Sequence, residues 1–297
     1  MPARPFRFGV TLLTPAPRAE WREKCRRAEG LGYDAVLVAD HLGMPAPFPS
    51  VVAAAEATER VRVGTFVLNA GFHTPALLAR EAATADLLTD GRLELGLGTG
   101  YVRAEHEAAG LAFGSAPERV DHLRRTVEEL DRLLADEEFQ PRPVQRPRPP
   151  VLIGGNGDRT LKLIAEHADI AAFTGIRPLP GHGGGKALPL SAAELDGRVA
   201  AYHRFAATRA APAELNLVVQ LVEVTDDRRA AARRVADSRP HLTAEAVLDL
   251  PTMFIGTVRQ IADQVRAQRE RYGFSYVSVL EPYLEAFGPV VEELRGA

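Results

Sequence analysis

Short apolar strand patterns alternate with amphipathic helix patterns along the whole 297-residue chain, and this alternation constrains the fold more than any other feature. Some strand patterns, such as residues 35–38, are wholly apolar, which is typical of a sheet buried on both faces. A parallel sheet covered by its own connecting helices meets that requirement. Eight such units predict an α/β fold, a (β/α)8 TIM barrel with insertion loops at its C-terminal mouth, rather than an open doubly wound sheet.

The sequence patterns predict eight strands and ten helices. The strand patterns cover residues 6–13, 35–38, 61–68, 93–97, 151–153, 170–173, 215–224 and 276–280. The helix patterns cover residues 19–31, 50–58, 75–88, 118–134, 159–167, 192–208, 226–236, 244–250, 257–272 and 284–294. The proline-rich stretch 140–150 leads directly into a strand, so we interpret it as an extended connection. Residues 1–297 are therefore predicted to form a single domain.

The net charge argues against nucleic acid and anionic membranes as partners, and the single cysteine excludes an intrachain disulfide. The formal net charge of −3 gives no reason to expect nucleic acid or an anionic membrane as a partner. Cys25 is the only cysteine, which excludes an intrachain disulfide and predicts a reducing, cytoplasmic location. No apolar segment has the length of a membrane span.

Two glycine-rich turns follow predicted strands, in the segments RLELGLGTG (residues 92–100) and PVLIGGNGDR (residues 150–159). Backbone N–H groups in such turns approach anions closely, and a following helix adds partial positive charge. The predicted phosphate-binding residues are Gly98, Thr99, Gly100, Gly154, Gly155, Asn156 and Gly157. A plain tight turn is the alternative for residues 154–157. Two turns of this kind predict a phosphorylated cofactor at the barrel mouth.

Asp40 and His41 follow the second strand and are the best candidates for acid–base chemistry. A histidine exchanges protons near neutral pH, and a carboxylate beside it can take part or contact the ligand. The alternative is an exposed histidine with Asp40 capping the next turn. His73 ends the third unit in a similar position, but Thr74-Pro75 marks it as the start of a helix.

The sequence lacks the motifs of metal sites, serine hydrolases, P-loop proteins and dinucleotide-binding folds. There is no HExxH, no pair of cysteines and no carboxylate cluster at ligand spacing, so no metal site is predicted. There is also no GxSxG nucleophile turn and no P-loop lysine. The segment GLGTG is not a dinucleotide-binding fingerprint, because it lacks the last glycine and follows the fourth strand rather than the first.

Four segments together resemble the luciferase-like monooxygenase superfamily, and within it the branch that uses the deazaflavin coenzyme F420. They are GYDAVLVADH (32–41), RVRVGTFVLN (60–69), HTPALLAREAATADLLTDGRLELGLGTGY (73–101) and PVLIGGNGDRTLKLIAEHADI (150–170). The resemblance implies a bacterial luciferase-like barrel with F420 at the mouth and its ring next to Asp40 and His41. It also implies a non-prolyl cis peptide at Phe66-Val67 behind the ring, a cofactor contact at Asn69, and phosphate on the two glycine turns.

His41 matches the family position for a proton donor or acceptor beside C5 of the deazaflavin. The chain departs from the sugar-phosphate dehydrogenases of this branch, in which a glutamate follows the GTG turn and a tryptophan follows the Asp-His pair. Here Tyr101 follows GTG and Leu42 follows His41, which argues against glucose-6-phosphate as the substrate. Tyr101 either donates a proton or forms a wall of the pocket, and the second catalytic residue is left open.

The resemblance implies an F420-dependent oxidoreductase that moves a hydride between C5 and a small or medium organic substrate. Reduction of C=C or C=N and oxidation of an alcohol are both open. Loops 42–49, 101–116 and 175–189 are expected to wall the substrate pocket, since long connections define specificity in barrels. The alternatives are an FMN-dependent monooxygenase that uses O2 and, from another class, a non-catalytic flavin-binding protein. A homodimer is expected, as in relatives.

Overall fold

The computed structural model describes residues 4–179, 187–239 and 241–295. Its strands are β1 (Arg7–Leu12), β2 (Ala35–Val38), β3 (Arg62–Thr65), β4 (Leu68–Asn69), β5 (Leu93–Gly98), β6 (Val151–Gly154), β7 (Ile170–Phe173), β8 (Ile176–Pro178), β9 (Ala187–Pro189), β10 (Glu214–Val219), β11 (Leu221–Val224), β12 (Met253–Gly256) and β13 (Phe274–Leu280). Its α-helices are α1 (Arg18–Gly30), α2 (Pro47–Ala57), α3 (Pro75–Leu88), α4 (Arg103–Ala108), α5 (Ala116–Ala135), α6 (Asp158–His167), α7 (Ala192–Phe205), α8 (Arg228–Asp237), α9 (Ala244–Asp249), α10 (Val258–Tyr272) and α11 (Leu284–Arg295).

The predicted (β/α)8 barrel is confirmed. The main sheet is parallel in the order β3-β2-β1-β13-β10-β7-β6-β5-β4, and an additional pairing of β3 with β5 closes it. Strands β3 and β4 are two halves of one barrel strand, so the closed barrel has eight strands. The largest cluster of buried apolar side chains joins strand residues such as Val10 and Val36 to helix residues such as Leu78 and Leu130.

A network of charged side chains fills the N-terminal end of the barrel. Arg7 at the start of β1 forms ion pairs with Glu94 of β5 and Glu214 of β10. Arg62 donates from Nε to Glu94 at 2.7 Å, and the buried Tyr276 hydroxyl lies 3.3 Å from the same carboxylate. Burial and the charge of Glu94 raise the pKa of Tyr276 well above its usual value. This network occupies the N-terminal end, and (β/α)8 barrels bind their ligands at the opposite end.

The third barrel strand is interrupted, whereas the sequence predicts one strand over residues 61–68. The interruption lies at Phe66-Val67, which is a non-prolyl cis peptide at the position implied by the resemblance. Gly64 pairs with Glu94 and Leu68 pairs with Leu97. The third strand therefore carries one more residue than β5 between these pairs, which is a β-bulge.

The hydroxyl of Thr65 bridges the bulge. Its Oγ1 accepts from the N–H of Gly96 at 2.9 Å and donates to the carbonyl oxygen of Gly96 at 2.9 Å. Backbone groups in a sheet normally bond to each other, and at this point a side chain takes over that pairing with β5. The bulge is thus an integral part of the barrel.

The predicted single strand over residues 215–224 is two strands, which belong to different sheets. The barrel strand β10 ends at Val219, and β11 leaves the barrel to pair in parallel with β12, a strand that the sequence analysis missed. The backbone N–H of Gln220 donates to Thr252 at 2.8 Å, which directs the chain toward β12. A four-residue apolar run such as β12 has too little periodicity to be assigned from sequence.

Two stretches predicted as loops contain regular structure. Residues 101–116 contain α4, and residues 175–190 contain the antiparallel pair β8–β9, while residues 180–186 lie outside the described residues. Within the described ranges, no helix is long and apolar enough to cross a membrane. The expectation of a single domain over residues 1–297 stays a prediction.

Candidate cofactor and substrate site

The predicted site residues gather at the C-terminal ends of neighbouring strands. His41 follows β2, Asn69 ends β4, Gly98 ends β5 and Gly154 ends β6. Strands β4, β5 and β6 are adjacent in the sheet, and β2 lies beside β3. The carboxyl ends of parallel barrel strands meet at one mouth, so these residues share one face of the barrel.

His41 forms a pair with Glu105, a residue that the sequence analysis missed. The Nδ1 atom of His41 lies 2.8 Å from Oε1 and 3.1 Å from Oε2 of Glu105. A neutral imidazole with this partner donates Nδ1–H to the carboxylate, so Nε2 is the atom left free for exchange with a ligand. The two side chains are 29% and 17% exposed, which leaves the imidazole accessible at the mouth.

Helix α4 brings Glu105 to His41 from a stretch that was predicted to be a loop. The helix begins at Arg103, three residues after the GTG turn. Glu105 is its third residue, five positions after Gly100. The short acidic helix gives little periodicity, and only the fold reveals its partner.

Asp40 does not pair with its neighbour His41. Its Oδ2 atom accepts the backbone N–H of Asn69 at 2.9 Å and lies 3.6 Å from Nε2 of His73. The carboxylate therefore ties the end of β2 to the end of β4. The mouth holds two separate imidazole–carboxylate pairs, His41 with Glu105 and His73 with Asp40.

Asn69 organises the turn that follows β4. Its Oδ1 atom accepts the N–H of Gly71 at 3.0 Å, and a Cβ on Gly100 would lie 2.1 Å from that oxygen. Gly100 has a φ of +64°, a conformation that favours glycine. Asn69 is 6% exposed, so its side chain shapes the site from beneath, and its predicted contact with the cofactor stays a prediction.

Tyr101 lies against His41 with its ring edge-on, at 5.9 Å between ring centroids. Burial and the charge of Glu105 raise the pKa of the Tyr101 phenol, so it stays protonated at neutral pH. Its hydroxyl makes no hydrogen bond to any described residue, and the residue is 52% exposed. These features favour Tyr101 as a wall of the pocket.

The bulge in the third strand packs against the glycines of the next two strands. A Cβ on Gly96 would lie 2.0 Å from the carbonyl oxygen of Thr65, and one on Gly98 would lie 2.7 Å from Cγ2 of Val67. Phe66 and Val67 are partly buried and cover the apolar cluster inside the barrel. Glycine in β5 is therefore needed for packing, whatever its role in phosphate binding.

The second glycine turn has open space above it. A Cβ on Gly157 would have Oγ1 of Thr160 as its nearest neighbour, at 4.0 Å. Gly157 is the N-cap of α6, and no side chain caps that helix. The Oδ1 atom of Asn156 is buried without a donor among the described residues, while its Nδ2 donates to the carbonyl of Ile176 at 2.8 Å. Free N–H groups and an open approach fit a phosphate.

Two arginines add positive charge near the first glycine turn. Arg119 donates from Nε to the carbonyl of Gly100 at 2.9 Å, and no described carboxylate forms an ion pair with it. The guanidinium groups of Arg119 and Arg103 lie 4.2 Å and 4.6 Å from the ring centroid of Phe113. Burial and the charge of Arg103 lower the pKa of Arg119. An anion at this turn would relieve their mutual repulsion.

Metal binding has no support within residues 4–179, 187–239 and 241–295, where no group of three or more His, Cys, Asp or Glu side chains could hold an ion. The acid–base pair, the bulge and the two glycine turns suit an organic cofactor with a phosphate.

Comparison with known proteins places the chain among flavin and deazaflavin proteins. The family model described as luciferase-like monooxygenase matches residues 3–274. An F420-dependent glucose-6-phosphate dehydrogenase from Kribbella flavida is 40% identical over 34% of this chain and 33% of its own length. The 4-hydroxyprotoasukamycin monooxygenase from Streptomyces nodosus subsp. asukaensis is 32% identical over 44% of this chain and 34% of its own length.

The fold has a close match among solved structures. The coenzyme F420-dependent tetrahydromethanopterin reductase from Methanopyrus kandleri superposes with a TM-score of 0.78, covering 99% of each chain at 16% identity. The matched segments span about a third of the two curated relatives above. The relatives include both F420-dependent enzymes and monooxygenases.

Proposed function

The chain belongs to the luciferase-like monooxygenase family, and we propose that it is an F420-dependent oxidoreductase that transfers a hydride to or from a small or medium organic substrate. The observation that carries this proposal is the His41–Glu105 pair at the mouth. Hydride transfer to or from a carbon bound to oxygen or nitrogen requires a proton transfer at that heteroatom. An imidazole held by a carboxylate supplies that proton transfer.

Each part of the mouth has its own task in this proposal. Glu105 accepts Nδ1–H of His41 and stabilises the imidazolium when Nε2 carries a proton. When an alcohol is oxidised, Nε2 accepts the proton of its hydroxyl group. When a C=N or an activated C=C bond is reduced, protonated Nε2 donates a proton to the nitrogen or to the carbon that does not receive the hydride. Phe66 and Val67 support the ring from the barrel side, and the surrounding side chains exclude water and orient the substrate.

The residues present fit the phosphate of the cofactor. The open approach at Gly157 and the uncapped start of α6 support a phosphate on the second turn. Arg119 supports negative charge beside the first turn. When bound, F420 supplies C5 as the hydride donor or acceptor.

The walls of the mouth favour an apolar substrate over a sugar phosphate. Leu42, Tyr101 and Leu111 lie on loops at the mouth with exposed fractions of 51%, 52% and 40%. Exposed apolar groups at a binding site gain free energy when an apolar ligand covers them. We propose an apolar alcohol, imine or enone as the substrate class, and glucose-6-phosphate is expected to be inactive.

The cofactor assignment is tested by titrating the protein with F420 and, separately, with FMN. We expect F420 to bind more tightly, and we expect apolar substrates to convert bound F420 without O2 consumption. The Gly157→Val variant is expected to weaken F420 binding at least about tenfold, because its side chain enters the open approach to the N–H groups. Calorimetry measures the affinities.

The control for this variant is Gly197→Ala on α7, whose Cβ would meet nothing within 4 Å. It is expected to bind F420 like the parent protein. Tight FMN binding with substrate-dependent O2 consumption would instead establish the FMN-dependent monooxygenase, which the Streptomyces relative supports as the second candidate. Bound F420 that no substrate converts would indicate a non-catalytic flavin-binding protein.

Glu105 is expected to act through His41. A hydrogen bond to a charged group contributes about 1.5–3 kcal/mol, so Glu105→Ala should lower kcat by about 10- to 100-fold. Glu105→Gln keeps an acceptor for Nδ1–H and loses the charge, so its kcat should lie between those of the parent and Glu105→Ala. ¹⁵N spectra of the His41 ring should show the Nδ1–H tautomer retained in Glu105→Gln and lost in Glu105→Ala.

Glu107→Gln provides the matched control on the same short helix, because Glu107 is exposed and lies 3.9 Å from Arg103 only. Its kcat and its His41 spectrum should equal those of the parent protein. Parent-like kcat in Glu105→Ala, or an unchanged tautomer, would remove Glu105 from the mechanism.

A homodimer and a cytoplasmic location remain part of the proposal. The exposed side chains of Leu77, Leu87 and Leu88 on α3 support burial against a second copy of the chain. The lone, buried Cys25 supports a reducing compartment.

A further inference from the structure

A cleft of about 580 Å³ lies between α1 and α2, and its lining includes neither His41, Glu105 nor the two glycine turns. Sites for small organic molecules generally have volumes of about 300–1,000 Å³. Pro15 and Pro45, on the connections that precede α1 and α2, and Pro49, within α2, line it. Its walls therefore come from secondary structure and stiff loops.

The walls of the cleft are mainly apolar. Trp21 from α1, Ala53 from α2 and the rings of Pro15 and Pro49 line it. The indole N–H of Trp21 is buried and has no acceptor among the described residues. An apolar ligand body would cover the side chains of Pro15, Pro49 and Ala53 and remove their exposed surface from water.

Positive charge lies at one side of the cleft. Arg18 and Arg22 are one helical turn apart on α1, and neither forms an ion pair or a side-chain hydrogen bond within the described parts of the chain. Like charges at this spacing repel each other. Glu56 on α2 is the acidic residue of the lining, so the cleft carries one more positive than negative side chain.

We propose that this cleft binds a small organic anion with an apolar body, such as an aromatic carboxylate. The apolar body would lie against Trp21 and the proline rings, and the carboxylate would pair with Arg18 and Arg22, since guanidinium groups bind carboxylates through parallel hydrogen bonds. The loop over residues 42–49 borders both the cleft and the mouth. The proposal does not depend on the cofactor assignment.

The test uses Trp21, the only tryptophan of the chain, as a reporter inside the site. Its indole N–H gives a single ¹⁵N–¹H resonance, which is followed while the full chain is titrated with 2-naphthoate or with uncharged 2-naphthylmethanol. We expect a saturable shift with 2-naphthoate, and at least about tenfold weaker binding of the alcohol because it cannot form the charged pair.

The double variant Arg18→Ala/Arg22→Ala should weaken 2-naphthoate binding at least about tenfold. Arg229→Ala/Arg233→Ala is the matched control, since these two exposed arginines are also one turn apart, on α8. It should bind like the parent protein. The proposal is overturned by an indole resonance that does not move at millimolar 2-naphthoate, by equal affinity for the alcohol, or by parent-like binding in the Arg18/Arg22 variant.

Discussion

Replacing His41 by alanine is expected to lower kcat by about 10²- to 10⁴-fold while F420 still binds, because general acid–base catalysis by a positioned side chain contributes about that much. Nε2 of His41 is the free ring atom, since Nδ1 lies 2.8 Å from Glu105. Without it, the proton must be exchanged with water, which is not held in position for the transfer. Single-turnover rates with an apolar secondary alcohol and F420 measure the effect, and calorimetry measures cofactor binding.

Alanine variants of two other histidines distinguish a loss of acid–base catalysis from a general loss of structure. His203 is exposed on α7, so His203→Ala should have parent-like kcat. His73 pairs with Asp40 at 3.6 Å, so His73→Ala should change turnover less than His41→Ala does. Added imidazole should partly restore turnover to His41→Ala. Full turnover in His41→Ala with F420 bound would refute the acid–base role.

The largest expected effect on stability comes from Gly96→Ala. Its Cβ would lie 2.0 Å from the carbonyl oxygen of Thr65 and 3.1 Å from Cγ1 of Val67. This carbonyl belongs to the backbone of β3. The backbone cannot move away from the new Cβ without breaking hydrogen bonds of the barrel, so the clash cannot be relieved by a side-chain movement. Overpacking of this kind costs about 3 kcal/mol or more of the free energy of unfolding. Urea unfolding followed by circular dichroism measures the loss as a lower midpoint.

Gly154→Ala is the matched control on the next strand. Its Cβ would also face Val67, but at 3.6 Å, which is ordinary van der Waals contact. The expected change is less than about 1 kcal/mol, typical of a substitution without steric conflict. A Gly96→Ala protein with the parent's midpoint would show that the third strand can shift. The proposed tight packing of the bulge on β5 would then be wrong.

Much of the fold is predictable because it rests on local patterns. Apolar strands, amphipathic helices and the proline after Thr74 locate most elements, and α3 spans Pro75–Leu88 as predicted. The departures occur where local pattern is weak. Strand β12 has four residues, and α4 has six, which is too short for a helical period to show. The cis peptide at Phe66-Val67 was foreseen from the family resemblance rather than from its own residues.

The barrel follows from the sequence alone, and so do the residue types that stand at the ends of its strands. The tertiary structure decided which of them meet. Asp40 and His41 are adjacent in the chain, yet His41 pairs with Glu105 and Asp40 pairs with His73. Barrel closure brings together groups that are far apart in the chain, and the bends of connecting loops set their distances. Neither effect leaves a periodic signal, so such pairings become visible only in the folded chain.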